Sequence, residues 1–238
     1  MKALEIFKSH QGEGRYTGTL MTFVRFKVCK RPFSKTLCSM CDTMTKMTSC
    51  VEMTFEPKDL EKSLRDSNYN ICFTGGEPSI YLKDIKNIID CFDADINSHV
   101  TGCVHFETNG FNLLELASML KKTRLNDDKY FIAFSPKFFE DEPKTVLADH
   151  VKFLHENENM FMIKEGRYSI KIVVGENNID LCNTFLDSIP KRLLPLVYLM
   201  PMGVTEGELK VSMPHVSKLS MEFKVNISDR LHIIHSYM

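Results

Sequence analysis

Short apolar segments alternate with longer amphipathic ones along the chain. The apolar segments are rich in Val, Ile and Phe and end at Gly or Pro, which predicts six β-strands, at 22–28, 70–76, 104–110, 131–136, 169–175 and 196–201. Helical periodicity predicts helices near 57–66, 80–93, 112–123, 143–160 and 177–189. Asn112 is the expected N-cap of the third helix. This alternation predicts an α/β fold of parallel strands joined by right-handed crossovers.

Six strands are too few for a closed eight-stranded barrel, so we expect an open or partial barrel. The sequence contains no internal repeat, low-complexity segment or linker, which predicts a single domain over 1–238. One charged stretch rich in Met and Phe, at 138–168, is predicted to be an irregular insertion.

Composition and charge exclude several classes of function. The 238 residues include 30 basic and 31 acidic side chains, a formal net charge of −1, and 43% are hydrophobic. Such a balance gives no general attraction to nucleic acid or to an acidic partner. No apolar run is long enough to cross a membrane, and the N-terminus becomes polar too early for a secretory signal. We therefore expect a cytoplasmic protein.

Chemically active residue types follow the predicted strands. The strand ends include TGGEP at 74–78, ETNG at 107–110 and SPK at 135–137. Ligands of parallel α/β proteins gather at the carboxyl ends of the strands. Glycine, carboxylate, amide, hydroxyl and lysine groups at these positions therefore predict a binding site there.

Three cysteines lie close together in the loop 29–43, CKRPFSKTLCSMCDT: Cys29, Cys38 and Cys41. Disulfides are disfavoured in a cytoplasmic protein. Three thiolates do not complete a structural zinc site unless His10 or Cys50 supplies the fourth ligand. The alternative is a [4Fe–4S] cluster with one open iron. The remaining cysteines are expected to be small buried hydrophobic residues: Cys72, Cys91, Cys103 and Cys182.

The three cysteines together with TGGEP resemble the radical S-adenosylmethionine (SAM) superfamily. The resemblance implies that Cys29, Cys38 and Cys41 hold a [4Fe–4S] cluster, that SAM chelates the fourth iron and that the GGEP loop meets the amino group of SAM. The usual spacing in that superfamily is C-x3-C-x2-C, whereas this chain has C-x8-C-x2-C, so its loop is five residues longer.

The wider pattern is similar to the 7-carboxy-7-deazaguanine synthase (QueE) family. The similarity rests on EIFKSHQGEG, GTLMTFVRFKVC, CSMCDT, FTGGEP, ETNG, SPK and the C-terminal RLHI. It implies a partial (βα)6 barrel with truncated helices and a radical SAM carbon–nitrogen lyase. The family reaction converts 6-carboxy-5,6,7,8-tetrahydropterin to 7-carboxy-7-deazaguanine with loss of ammonia, in the precursor pathway of queuosine. The similarity also implies that the protein uses Mg²⁺, takes electrons from a donor such as flavodoxin or ferredoxin, and forms a homodimer.

Residue roles follow from the same resemblance. It implies that Arg25 holds the substrate carboxylate, that Glu13 accepts hydrogen bonds from the pterin and that Thr43 binds Mg²⁺. The remaining substrate-binding residues implied are Gln11, Gly12, Thr74, His232 and Met238, the last through its terminal carboxylate. SAM-binding roles are implied for Gly75, Gly76, Glu77, Glu107, Asn109, Ser135 and Lys137.

Two alternatives stay open from the sequence. One is another radical SAM enzyme, such as a glycyl-radical activase, and the other is a non-catalytic zinc or regulatory protein on the same scaffold. Met200-Pro201 also departs from the Gln-Pro of many family members, which leaves one adenine or pterin contact in doubt. The sequence does not distinguish a cellular enzyme from a viral one that acts in the host cytoplasm.

Overall fold

A computed structural model describes residues 1–38, 41, 43, 51–162 and 166–235. The chain divides into two compact units. Unit 1 contains residues 1–10 and 19–133, and unit 2 contains 11–18 and the described part of 134–237. The single domain predicted over 1–238 stays a prediction.

Unit 1 alternates strands and helices. Its strands are β1 (Lys2–Ala3), β2 (Glu5–His10), β3 (Leu20–Phe26), β4 (Met53–Thr54), β5 (Asn70–Gly75), β6 (Cys103–Thr108) and β7 (Tyr130–Phe134), the last of which ends at the boundary between the units. Its α-helices are α1 (Glu61–Asp66), α2 (Leu82–Ser98) and α3 (Leu113–Leu120). Single 3-10 turns at Pro57–Leu60 and Pro78–Tyr81 lead into α1 and α2.

The main sheet of unit 1 is mostly parallel, in the order β7-β6-β5-β3-β2. β3 pairs parallel with β5 and β5 with β6, while β2 lies antiparallel to β3. β1 and β4 form a separate antiparallel pair. The carboxyl ends of β3, β5 and β6 therefore lie along one side of the sheet, which is where the cysteine loop, GGEP and ETNG follow.

Aromatic side chains on three neighbouring strands form the core of unit 1. Phe26, Phe73 and Phe106 are fully buried. Phe73 stacks between the other two, with ring centroids 6.2 Å from Phe26 and 5.4 Å from Phe106. Tyr81 covers Phe26 at 4.2 Å. This packing fixes the strand ends that carry the candidate site.

Unit 2 has the strands β8 (Tyr168–Val174), β9 (Val197–Pro201) and β10 (Asn226–Ile227), all paired in parallel in that order. Its α-helices are α4 (Lys144–Glu156), α5 (Glu158–Met162), α6 (Ile179–Ser188), α7 (Glu206–Phe223) and α8 (Leu231–Ile234). Three 3-10 turns lie at Gly14–Tyr16, Glu176–Asn178 and Lys191–Leu196. Buried Ile172 and Leu199 lie opposite each other on β8 and β9, and Phe138 stacks on Phe185 at 5.0 Å.

All six predicted strands are present, within two residues at most of their ends. The α/β class with a mostly parallel sheet is confirmed. Neither strand order closes on itself in the described residues, and the partial barrel stays a prediction.

Three expectations are corrected, in whole or in part, by the structure. The stretch 138–168 is not irregular where it is described, because α4 and α5 occupy most of it. Asn112 is the N-cap residue of α3, as predicted, but its side chain accepts no cap hydrogen bond; its Nδ2 donates to the carbonyl of Ser79 at 3.3 Å. Cys91 is exposed on α2, because that helix buries a different face.

Cys72, Cys103 and Cys182 are buried thiols, as predicted, and burial raises the pKa of Cys103 and of Cys182 to about 12. Cys50, an alternative metal ligand, lies outside the described residues. Within the described ranges, no helix has the length and hydropathy that a membrane span requires.

Candidate active site

The cysteine-bearing loop begins directly after β3 in unit 1. Cys29, Cys38 and Cys41 are half-buried thiols. Among the described residues, no three His, Cys, Asp or Glu side chains are grouped closely enough to hold a metal ion. The structure therefore places these thiols on one loop without bringing them together into a coordination sphere.

Cys29 is held against the ETNG segment at the carboxyl end of β6. The Asn109 side-chain amide donates to the Cys29 Sγ at 3.6 Å and to the carbonyl oxygen of Lys30 at 2.9 Å. The Asn109 Oδ1 accepts from the backbone N–H of Phe111 at 3.1 Å. Both ends of the amide are therefore fixed, and one points at a thiol assigned to the cluster.

The longer cysteine loop has a buried arginine at its start. Arg31 is almost fully buried, and its Nη1 donates to the Ser34 hydroxyl at 3.3 Å and to the carbonyl of Thr36 at 3.4 Å. A guanidinium group has several N–H donors in one plane, so it can hydrogen-bond to two neighbouring parts of a loop at once. Arg31 thus gives the additional residues of the loop a defined shape.

Gly75 and Gly76 are required by close packing against the end of β3. Their backbone follows residues 26–28 closely, with the N–H of Gly76 donating to Phe26 O and that of Glu77 to Val28 O, both at 2.8 Å. A Cβ on Gly76 would collide with the Val28 carbonyl, and one on Gly75 with the Phe26 carbonyl. Gly75 also has a φ of +104°, a conformation that favours glycine. In this structure Gly75 and Gly76 therefore leave room for the backbone of residues 26–28.

The Glu77 carboxylate is fully buried and accepts three hydrogen bonds. Its Oε1 accepts from the Ser79 N–H at 3.0 Å and from the Thr108 hydroxyl at 2.6 Å, while its Oε2 accepts from the Asn109 N–H at 2.7 Å. Burial raises the pKa of Glu77 above its ordinary value, against these hydrogen bonds, which lower it. Glu77 therefore connects GGEP to ETNG.

Arg25 is half-buried near the end of β3, opposite Thr74 on β5. Its Nε donates to Glu5 at 2.6 Å and its Nη1 to the Thr43 hydroxyl at 3.3 Å. The structure therefore brings the arginine predicted to hold a carboxylate next to the threonine predicted to bind Mg²⁺.

Glu107 of ETNG is half-buried, with its Oε1 3.4 Å from Nε2 of the buried His105. The two residues are separated by one position on β6 and so share one face of the strand. His105 was not predicted from the sequence as a neighbour of the site.

In unit 2 the QGEG segment packs against the C-terminal RLHI. The Leu231 N–H donates to the Gly12 carbonyl at 3.0 Å. A Cβ on Gly12 would overlap the His232 ring, so glycine is required there for that ring to approach. Gln11 is buried, and its side-chain oxygen accepts from the Glu13 N–H at 3.2 Å. The structure therefore brings together four of the predicted substrate-binding residues.

Two cations hold the Glu13 carboxylate. Lys171 Nζ donates to Glu13 Oε2 at 2.7 Å, and Arg230 Nε donates to Glu13 Oε1 at 2.8 Å. The Nε2 of His232 lies 3.8 Å from the same Oε1. Burial by itself would raise the pKa of Glu13, but the charges of Lys171, Arg230 and His232 hold it well below the ordinary value.

Ser135 and Lys137 form a second small network in unit 2. Lys137 Nζ donates to the Ser135 hydroxyl at 2.9 Å, and that hydroxyl donates to the backbone carbonyl of Lys171 at 2.9 Å. The pair assigned to the SAM carboxylate is therefore joined through one residue of β8 to Glu13.

Sequence reasoning missed Lys171 and Arg230. One signal was present, because Lys171 is the single charged residue in the apolar strand YSIKIVV, which is buried along nearly its whole length. Such a lysine needs a buried partner. Arg230 is the first residue of the RLHI segment, in which the resemblance assigned a role only to His232. Met200 is buried in β9, and Met238 lies outside the described residues.

The donor set fits the cofactors implied by the motifs. Three thiols in one loop are ligands of the type that iron–sulfur clusters use, and the buried Thr43 hydroxyl is an oxygen ligand of the type that Mg²⁺ prefers.

No protein-family model matches the chain. The chain is 25% identical over 241 residues to the 7-carboxy-7-deazaguanine synthase of Hyperthermus butylicus, covering 98% of this chain and 92% of that protein. It is 27% identical to the synthase of the same name from Rhodopirellula baltica, covering 96% and 84%. The synthase of Archaeoglobus fulgidus is 33% identical over 107 residues, but that alignment spans only 45% of the relative and 41% of this chain.

A solved structure shares the fold. The crystal structure of QueE from Escherichia coli superimposes with a TM-score of 0.59 and 18% sequence identity, covering 97% of this chain and 94% of that one. At this identity the likeness concerns the fold.

Proposed function

We propose, from the premise that the chain is a relative of the 7-carboxy-7-deazaguanine synthases, that it catalyses the reaction of that family. The substrate is 6-carboxy-5,6,7,8-tetrahydropterin, and the products are 7-carboxy-7-deazaguanine and ammonia. The curated relatives favour this function over a glycyl-radical activase or a zinc protein.

One observation carries the assignment of the chemistry to unit 1. The loops after β3, β5 and β6 are joined by hydrogen bonds: Glu77 N–H to Val28 O at 2.8 Å, Glu77 Oε2 to Asn109 N–H at 2.7 Å, and Asn109 Nδ2 to Cys29 Sγ at 3.6 Å. These are the three segments that the radical SAM resemblance assigns to cluster and SAM. They form one connected region.

The proposal includes a [4Fe–4S] cluster on Cys29, Cys38 and Cys41, SAM, and Mg²⁺ on Thr43. When bound, the cluster and SAM supply the radical that takes a hydrogen from the substrate. The residues of the chain bind, orient and exclude water. Asn109 fixes Cys29 through its amide. The residues that would hold SAM are Gly75, Gly76, Glu77, Glu107, Asn109, Ser135 and Lys137.

For the substrate, Arg25 carries the positive charge that a carboxylate requires. A guanidinium holds a carboxylate through parallel hydrogen bonds, and the Thr43 hydroxyl beside it at 3.3 Å links that contact to the Mg²⁺ ligand. The other residues that the resemblance assigns to the pterin, and that we propose as its ligands, are Gln11, Gly12, Glu13, Thr74 and His232.

The broader features of the family belong to the same proposal. They are a partial (βα)6 barrel, a homodimer, a flavodoxin or ferredoxin as electron donor, and a cytoplasmic location. A small-molecule substrate without direct nucleic-acid contact agrees with the net charge of −1.

The decisive test is anaerobic reconstitution with iron and sulfide, followed by incubation with SAM, reductant, Mg²⁺ and the carboxytetrahydropterin. We expect 7-carboxy-7-deazaguanine by mass spectrometry, with labile sulfide and iron in the protein. Cys38→Ala should lose both the cluster and the product, whereas Cys91→Ala, on the exposed face of α2, should keep both. Bound zinc without labile sulfide would contradict the proposal.

A further inference from the structure

The ion cluster around Glu13, made of Glu13, Lys171 and Arg230, contains two cations to which the family resemblance assigned no role. Lys171 comes from the middle of β8, and Arg230 immediately precedes α8. The side chains of Lys171, Arg230 and Glu13 are 5%, 10% and 15% exposed. Removing charges from water is costly, so a buried cluster of this kind requires close pairing.

Each cation in the cluster is anchored at a second point. Arg230 Nη1 donates to the Gly203 carbonyl at 2.6 Å, and the carbonyl of Lys171 accepts from Ser135 at 2.9 Å. The two cations therefore approach Glu13 from fixed positions, one at each carboxylate oxygen. The plane of the carboxylate is set by the protein before any ligand arrives.

A carboxylate held this way can still accept further hydrogen bonds. Its two oxygens offer about four lone-pair sites, and the two cations use two of them. Glu13 is also the residue to which the family resemblance assigns the amino and ring N–H groups of the pterin. Its orientation and its charge then both bear on how well that edge is bound.

We propose that Lys171 and Arg230 are positioning residues that hold the Glu13 carboxylate charged and correctly oriented for the pterin. This inference rests on the proposed function and deepens it, because it assigns two residues that act on the substrate through Glu13. Lys171 has a further part, since its backbone accepts from the Ser135 hydroxyl and its side chain holds Glu13.

The charges that face Glu13 explain its protonation state. They are Lys171 from β8, and Arg230 and His232 from the C-terminal segment. Burial favours the neutral acid, but these positive charges outweigh it and lower the pKa of Glu13. If Lys171 is removed, the pKa of Glu13 must rise, and the carboxylate takes up a proton at a higher pH.

The test compares Lys171→Met and Lys171→Arg in the reconstituted holoenzyme. Affinity for the carboxytetrahydropterin is measured anaerobically by calorimetry without reductant, from about pH 5 to pH 8. Lys171→Met is expected to weaken binding by roughly tenfold or more, the range for losing one hydrogen bond to a charged group. Wild-type binding should not depend on Glu13 protonation in this range, because the pKa of Glu13 lies well below it, whereas the binding of Lys171→Met should weaken as the pH falls towards 5.

Lys171→Arg separates charge from orientation. It keeps a buried cation beside Glu13, so the pH dependence of binding is expected to stay as in the wild type while the affinity falls, because a planar guanidinium cannot occupy the position of the ammonium. In turnover assays both variants should raise KM far more than they lower kcat, as expected for a group that acts on substrate binding.

Lys210→Met is the matched control. Lys210 pairs with Glu206 at 2.7 Å on the surface of α7, and the Lys210 side chain is 75% exposed to solvent. Its substitution should leave affinity and pH profile unchanged. If Lys171→Met does not fold, Lys171→Arg alone remains decisive, because an unchanged affinity in that variant would overturn the proposal.

Failure of this inference is distinguishable from failure of the proposed function. A wild-type protein that does not bind the carboxytetrahydropterin refutes the proposed function. Wild-type binding combined with an unchanged affinity and pH dependence in Lys171→Met refutes the positioning role. A pH dependence that changes equally in Lys171→Met and Lys171→Arg refutes the part of the proposal that concerns charge.

Discussion

Glu77 carries a carboxylate in a fully buried position, where three donors from Ser79, Thr108 and Asn109 converge on it. A buried carboxylate whose hydrogen bonds are all formed adds little to the free energy of unfolding, whereas leaving one of its donors without an acceptor costs much more. Changing Glu77 therefore affects the arrangement of GGEP and ETNG before it affects any ligand.

We expect Glu77→Gln to lower the free energy of unfolding by about 1–3 kcal/mol, because the new amide places a donor opposite the N–H of a neighbouring residue. Urea denaturation of the cluster-free protein measures this. Glu61→Gln, which alters an exposed pair with Arg65 on α1, is the control and should change stability little. Equal stability of Glu77→Gln and wild type would show that the buried hydrogen bonds are not those described.

At the scale of elements, backbone contacts hold the loop after β5 closely against the end of β3. The N–H groups of Gly76 and Glu77 donate to carbonyls of residues 26 and 28. There is no room for a side chain at Gly76. The ends of β3 and β5 can therefore approach this closely only because residue 76 has no side chain.

Gly76→Ala should destabilise the protein by about 1–3 kcal/mol, because a carbonyl of the main chain cannot move aside as a flexible side chain can. Thermal denaturation of the cluster-free protein is the measurement. Gly207→Ala is the matched control, since a Cβ there meets nothing within 4 Å and the residue lies in the first turn of α7. It should raise stability by up to about 1 kcal/mol. Similar losses in both variants would contradict the packing account.

Element prediction succeeded where the signal was local. The six central strands are short apolar runs closed by Gly or Pro, and each was found. β2, with the sequence EIFKSH and half-exposed residues, was missed, since it is an antiparallel strand at the end of the sheet order rather than an apolar one. α7 was missed because Pro214 and Gly207 interrupt its helical pattern.

At the scale of the whole molecule, the lowered pKa of Glu13 links stability to pH. A carboxylate whose pKa is lower in the folded state stabilises that state above its ordinary pKa of 4.5, and the contribution is lost as the pH falls through the folded value. Glu77 has a raised pKa and acts in the opposite direction.

Comparison of wild type with Glu13→Gln isolates the pH-dependent contribution of Glu13 to the free energy of unfolding. The difference in unfolding free energy is expected to be constant from about pH 7 to about pH 5 and to shrink steadily below that, because the variant has no carboxylate to protonate. Urea titrations across this pH range measure it. A difference that does not change with pH would mean that Glu13 is not held as a buried anion by its neighbours.

The sequence by itself determined which segments are candidates for the chemistry. Cys29, Cys38, Cys41, QGEG, GGEP and ETNG were all recognised from residue type and spacing, because strand periods and motif spacings are local properties of the chain. The α/β class followed from the same local patterns.

Only the tertiary structure decided the partners of those residues. Lys171 and Arg230 lie 158 and 217 positions from Glu13 along the chain, and no periodicity relates them. Likewise, the sequence predicted an available carboxylate at Glu77, whereas the structure surrounds it with donors from β6 and the following loop. Charge pairing and burial depend on which distant segments pack together, and that is a property of the fold.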